Sequence, residues 1–190
     1  NKETDSRALV IDEPDRIIVT FRGTSSLRNL RTDLRISTRS LADVVPSTNL
    51  AYPSGMYYEH IREQLNSRLY HRSRIHKGFA SAHKQICSEV LRSVQELYAK
   101  KPRVIIFTGH SLGGSLATLA ALDAVLSFGL GSHEIIVSTF GAPRVGNNAF
   151  QTLYAKLIKM HWRLELAPDL ITRLPAMTYK HVGNRVLLTP

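Results

Sequence analysis

Residues 103–122 restrict what this chain can fold into more than any other stretch. A β-branched apolar run, Val104 to Phe107, stops at Gly109-His110-Ser111-Leu112-Gly113, and an alanine- and leucine-rich helical pattern begins at once. Strand, G-x-S-x-G, helix is the setting of a nucleophile elbow. The reason for the glycines is crowding. A serine on a sharp turn at the top of a sheet brings the residues two positions away against strand and helix, and only small ones fit. The turn lifts the Ser111 hydroxyl out of the sheet and aims the helix N-terminus at developing negative charge. Without its flanks the pentapeptide would be an ordinary glycine-rich turn.

The 190 residues suit a single domain with a real core, and 43% hydrophobic with 21% charged residues is a globular balance. No apolar run approaches the roughly 20 residues of a membrane span, and no signal-peptide pattern opens the chain. The chain starts at Asn1, with a strand-like run within ten residues, so it reads as an excised piece. The single cysteine, Cys87, rules out an internal disulfide and leaves the compartment open; beside Ile86 and Val90 it reads as a buried inert thiol. The net charge of +10 is concentrated: residues 22–77 hold ten Lys/Arg against four acids. Such a patch can suit nucleic acid, but no aromatic stacking platform or known nucleic-acid module accompanies it, so no nucleic-acid partner is expected. A solvated surface and an anionic lipid surface are the remaining readings.

Ala8 to Ile11 and Ile17 to Phe21, joined by a turn-rich link, read as a β-hairpin. Leu27, Leu30 and Leu34, with Arg28, Arg31 and Arg35 one residue on, make residues 25–35 a short basic amphipathic helix. Residues 38–54 are rich in Ser, Thr and Pro and read as loop. Tyr58, Ile61, Leu65 and Leu69 mark a further helix that ends in the basic run His71 to Arg74. Residues 78–100 form a long helix stopped by Lys101-Pro102. After the elbow, Ile135 to Phe140 is a buried type of strand. Asn147 or Asn148 caps a helix striped by Phe150, Leu153, Leu157 and Ile158, and Trp162 to Leu166 is another strand. Strands alternating with helices give an α/β fold with a parallel central sheet.

An elbow serine needs a base and an acid to orient it, in the chain order Ser, Asp/Glu, His. Asp169 follows the strand Trp162–Leu166 and fits the acid, although a Pro-Asp pair is equally a turn. Only His181 follows Asp169; the other seven histidines precede it. No histidine or cysteine stands in a metal-ligand spacing, and neither metal nor organic cofactor is implied.

Five ordered blocks resemble the class 3 lipases, the fungal triacylglycerol lipase type of the α/β-hydrolase superfamily. They are Ile17 to Ser26, Ile75 to Phe79, Thr108 to Gly114, Phe140 to Asn147, and Pro168 to Pro175 followed by Tyr179 to Gly183. The resemblance covers nearly the whole chain. It implies an α/β-hydrolase-like, mostly parallel central sheet with helices on both faces. It implies Ser111 as nucleophile and Asp169 as triad acid. It also implies an oxyanion hole made of Thr24 and the Leu112 N–H, and a lid at about residues 25–35. The expected activity is serine carboxylester hydrolysis of acylglycerols or other lipid esters at a lipid–water interface.

The chain departs from the family in three ways. A histidine in a Tyr-x-His-x-Gly block is not the family's base, which comes some tens of residues later, so the base is expected beyond Pro190 with His181 as the fallback. The family has further structure before the hairpin, so the single domain of residues 1–190 is expected to be a core truncated at both ends. Residues 38–74 read as an insertion of the sort seen in diacylglycerol-lipase-like and plant relatives. Two alternatives stand beside the lipase: a phospholipase A1 or galactolipase, and a catalytically silent lipase-like binding module. Secretion and membrane association are both compatible with these features.

Overall fold

The computed structural model describes residues 7–23, 37–45, 61, 63–131, 133–176 and 178–189. The hairpin forms as its sequence indicates: β1 (Ala8–Asp12) pairs antiparallel with β2 (Arg16–Phe21). From β2 the main sheet continues through β5 (Val104–His110), β6 (Ile135–Phe140), β8 (Met160–Leu166) and β10 (Asn184–Leu188), each parallel to its neighbour. The result is a mostly parallel α/β sheet of six strands with one antiparallel edge.

Burial alternates along the strands and shows which face the helices cover. Ile17, Val19, Ile105, Phe107, Ile135 and Val137 are all 0% exposed. Against this face lie α2 (Lys77–Lys100) and α3 (Leu112–Phe128), which also pack on each other. Their neighbours on the other face, Ile18, Ile106 and Ile136, are only half-buried. Helix α3 is apolar on every side, and thirteen of its seventeen residues are buried, as a helix without a polar face must be. Helix α4 (Asn148–Leu157) is capped by Asn147, whose side chain accepts from the Phe150 N–H at 3.0 Å. Its stripe of Phe150, Leu153, Tyr154 and Leu157 faces inward.

A second sheet, with order β3-β4-β7-β9, was not legible in the sequence. It consists of β3 (Thr38–Ser40), β4 (Arg74–His76), β7 (Gly146–Asn147) and β9 (Tyr179–Lys180), all antiparallel. The expectation of loop from residue 38 is therefore corrected at its start: Thr38–Ser40 pairs with β4, and a single 3₁₀ turn, Leu41–Asp43, follows. Helix α1 (Arg68–Arg72) ends at Ser73, and Arg74 belongs to β4 rather than to the helix. Leu41, Val45, Ile61, Leu65 and Tyr70 are buried, so the described parts of 38–74 belong to the same core.

Cys87 is 1% exposed, and its burial, with Asp123 adding to it, pushes the thiol far up from its usual range. Among the described residues no helix is long and apolar enough to cross a membrane.

Candidate active site

Ser111 occupies the junction of β5 and α3 with φ 55° and ψ −123°. It is the one non-glycine residue with positive φ among the described residues. An L-residue held there stores strain of about 1–3 kcal/mol, which persists only where the surroundings enforce it. The surroundings here are close. A Cβ on Gly109 would collide with the Gly113 backbone, and one on Gly113 with the Phe21 carbonyl. Gly114, on the next position of α3, would bring a Cβ within 2.7 Å of the Ala142 methyl. The Ser111 N–H donates to the Phe140 carbonyl at 2.9 Å, fastening the elbow to the end of β6. Its own carbonyl accepts from the Gly114 and Ser115 N–H groups, which starts the helix. The two N–H groups before these, of Leu112 and Gly113, precede the first helical hydrogen bond and carry the helix's positive dipole end.

The Ser111 hydroxyl is not open to solvent as the elbow alone suggests. The residue is 1% exposed, and its Oγ has no hydrogen-bond partner. A five-residue motif indicates where the turn lifts a side chain, but not what stands over it.

Asp169 lies beyond the carboxyl end of β8, the same sheet end as Ser111 beyond β5. The turn that holds it is knit locally. The Asp169 N–H donates to the Leu166 carbonyl at 2.8 Å, its Oδ1 accepts from the Ile171 N–H at 2.8 Å, and its carbonyl accepts from the Thr172 hydroxyl at 2.9 Å. That leaves Oδ2 aimed toward Gly141, where an added Cβ would lie 2.8 Å from Oδ2 and 3.5 Å from His110 Nε2. Gly141 has φ +55°, so the first residue after β6 needs glycine for its backbone as well as for space. Sequence reading quoted Gly141 within a block but assigned it no role. An apolar cleft of about 310 Å³ opens here, walled by Phe140, Leu164, Leu166 and Leu188, with His110 and Asp169 as its ionisable groups.

His181 sits elsewhere. Its Nε2 donates to the Thr172 carbonyl at 2.5 Å and lies 3.9 Å from Glu165 Oε1. Burial, then the Arg163 charge, depress its pKa to about 4, so the ring is neutral at pH 7. Ser111 Oγ has no hydrogen-bond partner, so neither this ring nor any other described histidine bonds to it. His161 is equally committed, with Tyr154 Oη at 2.9 Å from Nδ1 and Thr139 Oγ1 at 3.2 Å from Nε2. Thr24, the expected lid at 25–35 and His60 lie outside the described residues. The chain that leads into Thr24 does run against the elbow, since a Cβ on Gly23 would come within 2.6 Å of the His110 carbonyl. Among the described residues there is no cluster of His, Cys, Asp and Glu able to hold a metal ion.

This arrangement has counterparts among known proteins. The family model described as Lipase (class 3) matches residues 18–179. A secreted mono- and diacylglycerol lipase 2 of Gibberella zeae is 38% identical over 147 residues, 75% of this chain and 33% of that protein. The chloroplastic phospholipase A(1) DAD1 of Arabidopsis thaliana is 30% identical over 165 residues, 87% of this chain and 35% of its own. The crystal structure of a lipase from Rhizopus microsporus var. chinensis superposes with a TM-score of 0.77 at 27% identity, covering 97% of this chain and 57% of that one. The chain thus spans between a third and somewhat over half of these three proteins. With the family model running from β2 to β9 across both Ser111 and Asp169, the chain belongs to the class 3 lipase family.

Proposed function

We propose that this chain carries the nucleophile and the acid of a serine carboxylester hydrolase acting on acylglycerol-type lipid esters. The observation that carries the reading is the strained Ser111 at the tip of β5 with Asp169 at the same end of the sheet. Ser111 Oγ attacks the ester carbonyl while a histidine takes its proton. Asp169 Oδ2, the oxygen left free by the Ile171 N–H, orients that ring and stabilises the imidazolium. The cleft beside Asp169 has room for an imidazole. The Leu112 N–H and Thr24 bind the oxyanion; a preorganised donor of this kind is worth about 3 kcal/mol. Collapse of the tetrahedral intermediate expels the alcohol, and water then releases the fatty acid from Ser111.

Residues 25–35 serve as a lid whose Leu27, Leu30 and Leu34 cover the cleft until a lipid surface draws them away. The basic stretch 22–77 favours an anionic lipid–water interface. A fluorophosphonate probe should label Ser111 in the protein, and Ser111→Ala should abolish labelling and ester hydrolysis alike. Labelling at another residue, or hydrolysis that survives the substitution, overturns the reading. Leu30→Asp tests the lid: it should impair emulsified ester far more than a soluble short-chain ester.

A further inference from the structure

Side chains alternate along β8, so Arg163 and Glu165 leave the sheet on the face opposite Leu164 and Leu166. Arg163 and Glu165 line a second cavity, of about 350 Å³, which shares Leu166, Ala167, Pro168 and Asp169 with the cleft already described. Four guanidinium groups line it, from Arg144, Arg163, Arg173 and Arg185, against the carboxylates of Glu165 and Asp169. Glu165 is 4% exposed and serves two of the four: one oxygen meets Arg163, and the other accepts from Arg185 Nε at 2.8 Å. Arg144 has only the Pro175 carbonyl, at 3.2 Å, and neither it nor Arg173 has a carboxylate partner among the described residues. Arg163 is 8% exposed, yet its Nε is buried without a hydrogen-bond partner.

The positive field is visible in its effect on the cavity's own groups. Burial, then Arg185 and Arg144, lower Arg163 to about 10. His181 is held neutral, so it adds no charge. A buried guanidinium with an unused donor is costly, and an anion entering the cavity would satisfy it. Planar guanidinium forks match phosphate oxygens in pairs, whereas an acyl chain would strand these charges.

We propose that this cavity is a phosphodiester subsite, holding the head-group phosphate of a glycerophospholipid whose ester bond is presented to Ser111. This rests on the ester-hydrolase reading for its meaning and narrows it toward phospholipids. Asp169, shared by both cavities, would stand between the bond to be cut and the phosphate. Glu165, shared between Arg163 and Arg185, fixes the two forks without cancelling the field.

The test is calorimetric titration of the protein with sn-glycero-3-phosphocholine, inorganic phosphate and glycerol. Glycerophosphocholine should bind saturably at one site, inorganic phosphate at least tenfold more weakly, and glycerol not at all. Arg173→Gln and Arg185→Gln, both at exposed positions, should each weaken binding at least fivefold, and Arg173→Gln, which breaks no ion pair among the described residues, should leave the melting temperature unchanged. Absence of glycerophosphocholine binding overturns the proposal, as does binding that either variant leaves intact. Equal or tighter binding of inorganic phosphate also overturns it and marks a free-phosphate site instead. Fluorophosphonate labelling of Ser111 in the same samples separates the two readings, because labelled protein that binds no glycerophosphocholine sinks the subsite alone.

Discussion

Gly141 and Asp169 are fitted to each other: a single methyl group on the glycine would press to 2.8 Å from the carboxylate oxygen that faces the cleft. The same glycine holds φ +55°, where an L-residue is penalised by about 1–2 kcal/mol. Gly141→Ala should therefore displace the acid as well as strain the turn. Displacements near 1 Å cost about a hundredfold in rate, so kcat should fall by one to two orders of magnitude. Stability should fall by only about 1–2 kcal/mol. Steady-state kinetics and urea unfolding check both numbers; a rate within threefold of wild type would separate Asp169 from the chemistry.

Ser111 combines a positive φ with a buried, unpartnered hydroxyl. Ser111→Gly removes both costs. Its unfolding free energy should exceed that of wild type by about 1–2 kcal/mol, while labelling and hydrolysis vanish. Urea denaturation gives the stability difference, and a destabilised glycine variant would show that the strain is absent.

The histidines give a pH signature. His161 is lowered to about 3 by burial, then by Arg163, and His181 to about 4 by burial, then by Arg163. Below about pH 6.5 the unfolded chain takes up protons at these positions that the folded chain refuses. Stability is therefore full above pH 6.5 and falls as the pH drops to about 4, by up to about 1.4 kcal/mol per pH unit for each ring. His181→Gln should flatten this slope between pH 6 and 4. A slope unchanged by the substitution would place the proton uptake elsewhere.

No described histidine reaches Ser111 Oγ. A histidine that takes no proton from the serine can be replaced without loss of rate, whereas removal of a triad member costs about four to six orders of magnitude. His181→Gln should therefore leave hydrolysis of p-nitrophenyl butyrate by the protein unchanged within threefold. A tenfold fall on its substitution would identify His181 as the base and remove the need for another.

The parts of the fold that could be read from sequence are those with long, strong periods. Val104 to Phe107, Ile135 to Phe140 and the helices around residues 78–100 and 112–128 announce themselves, because each buries a repeating set of apolar side chains. The small sheet did not. Its strands are two or three residues long, and Thr38-Arg39-Ser40 has no apolar alternation to display. In the site, chain order places Ser111 and Asp169 at one sheet end, since both follow parallel strands. The fit of Gly141 to Asp169 and the arginines around Glu165 depend on loops meeting across the sheet, which residue spacing does not encode. The burial of Ser111 is likewise a tertiary property that its motif cannot express.

Helix α3 begins at Ser111 and is enclosed by sheet and helices. Its amide protons can reach solvent only by dismantling the core, so they should exchange at the rate of global unfolding. The serine is thus mounted on the most completely buried helix among the described residues. Any motion that opens the Ser111 hydroxyl must be borne by the segments around the elbow, and thermal softening of those segments should alter access long before it disturbs the position of Ser111.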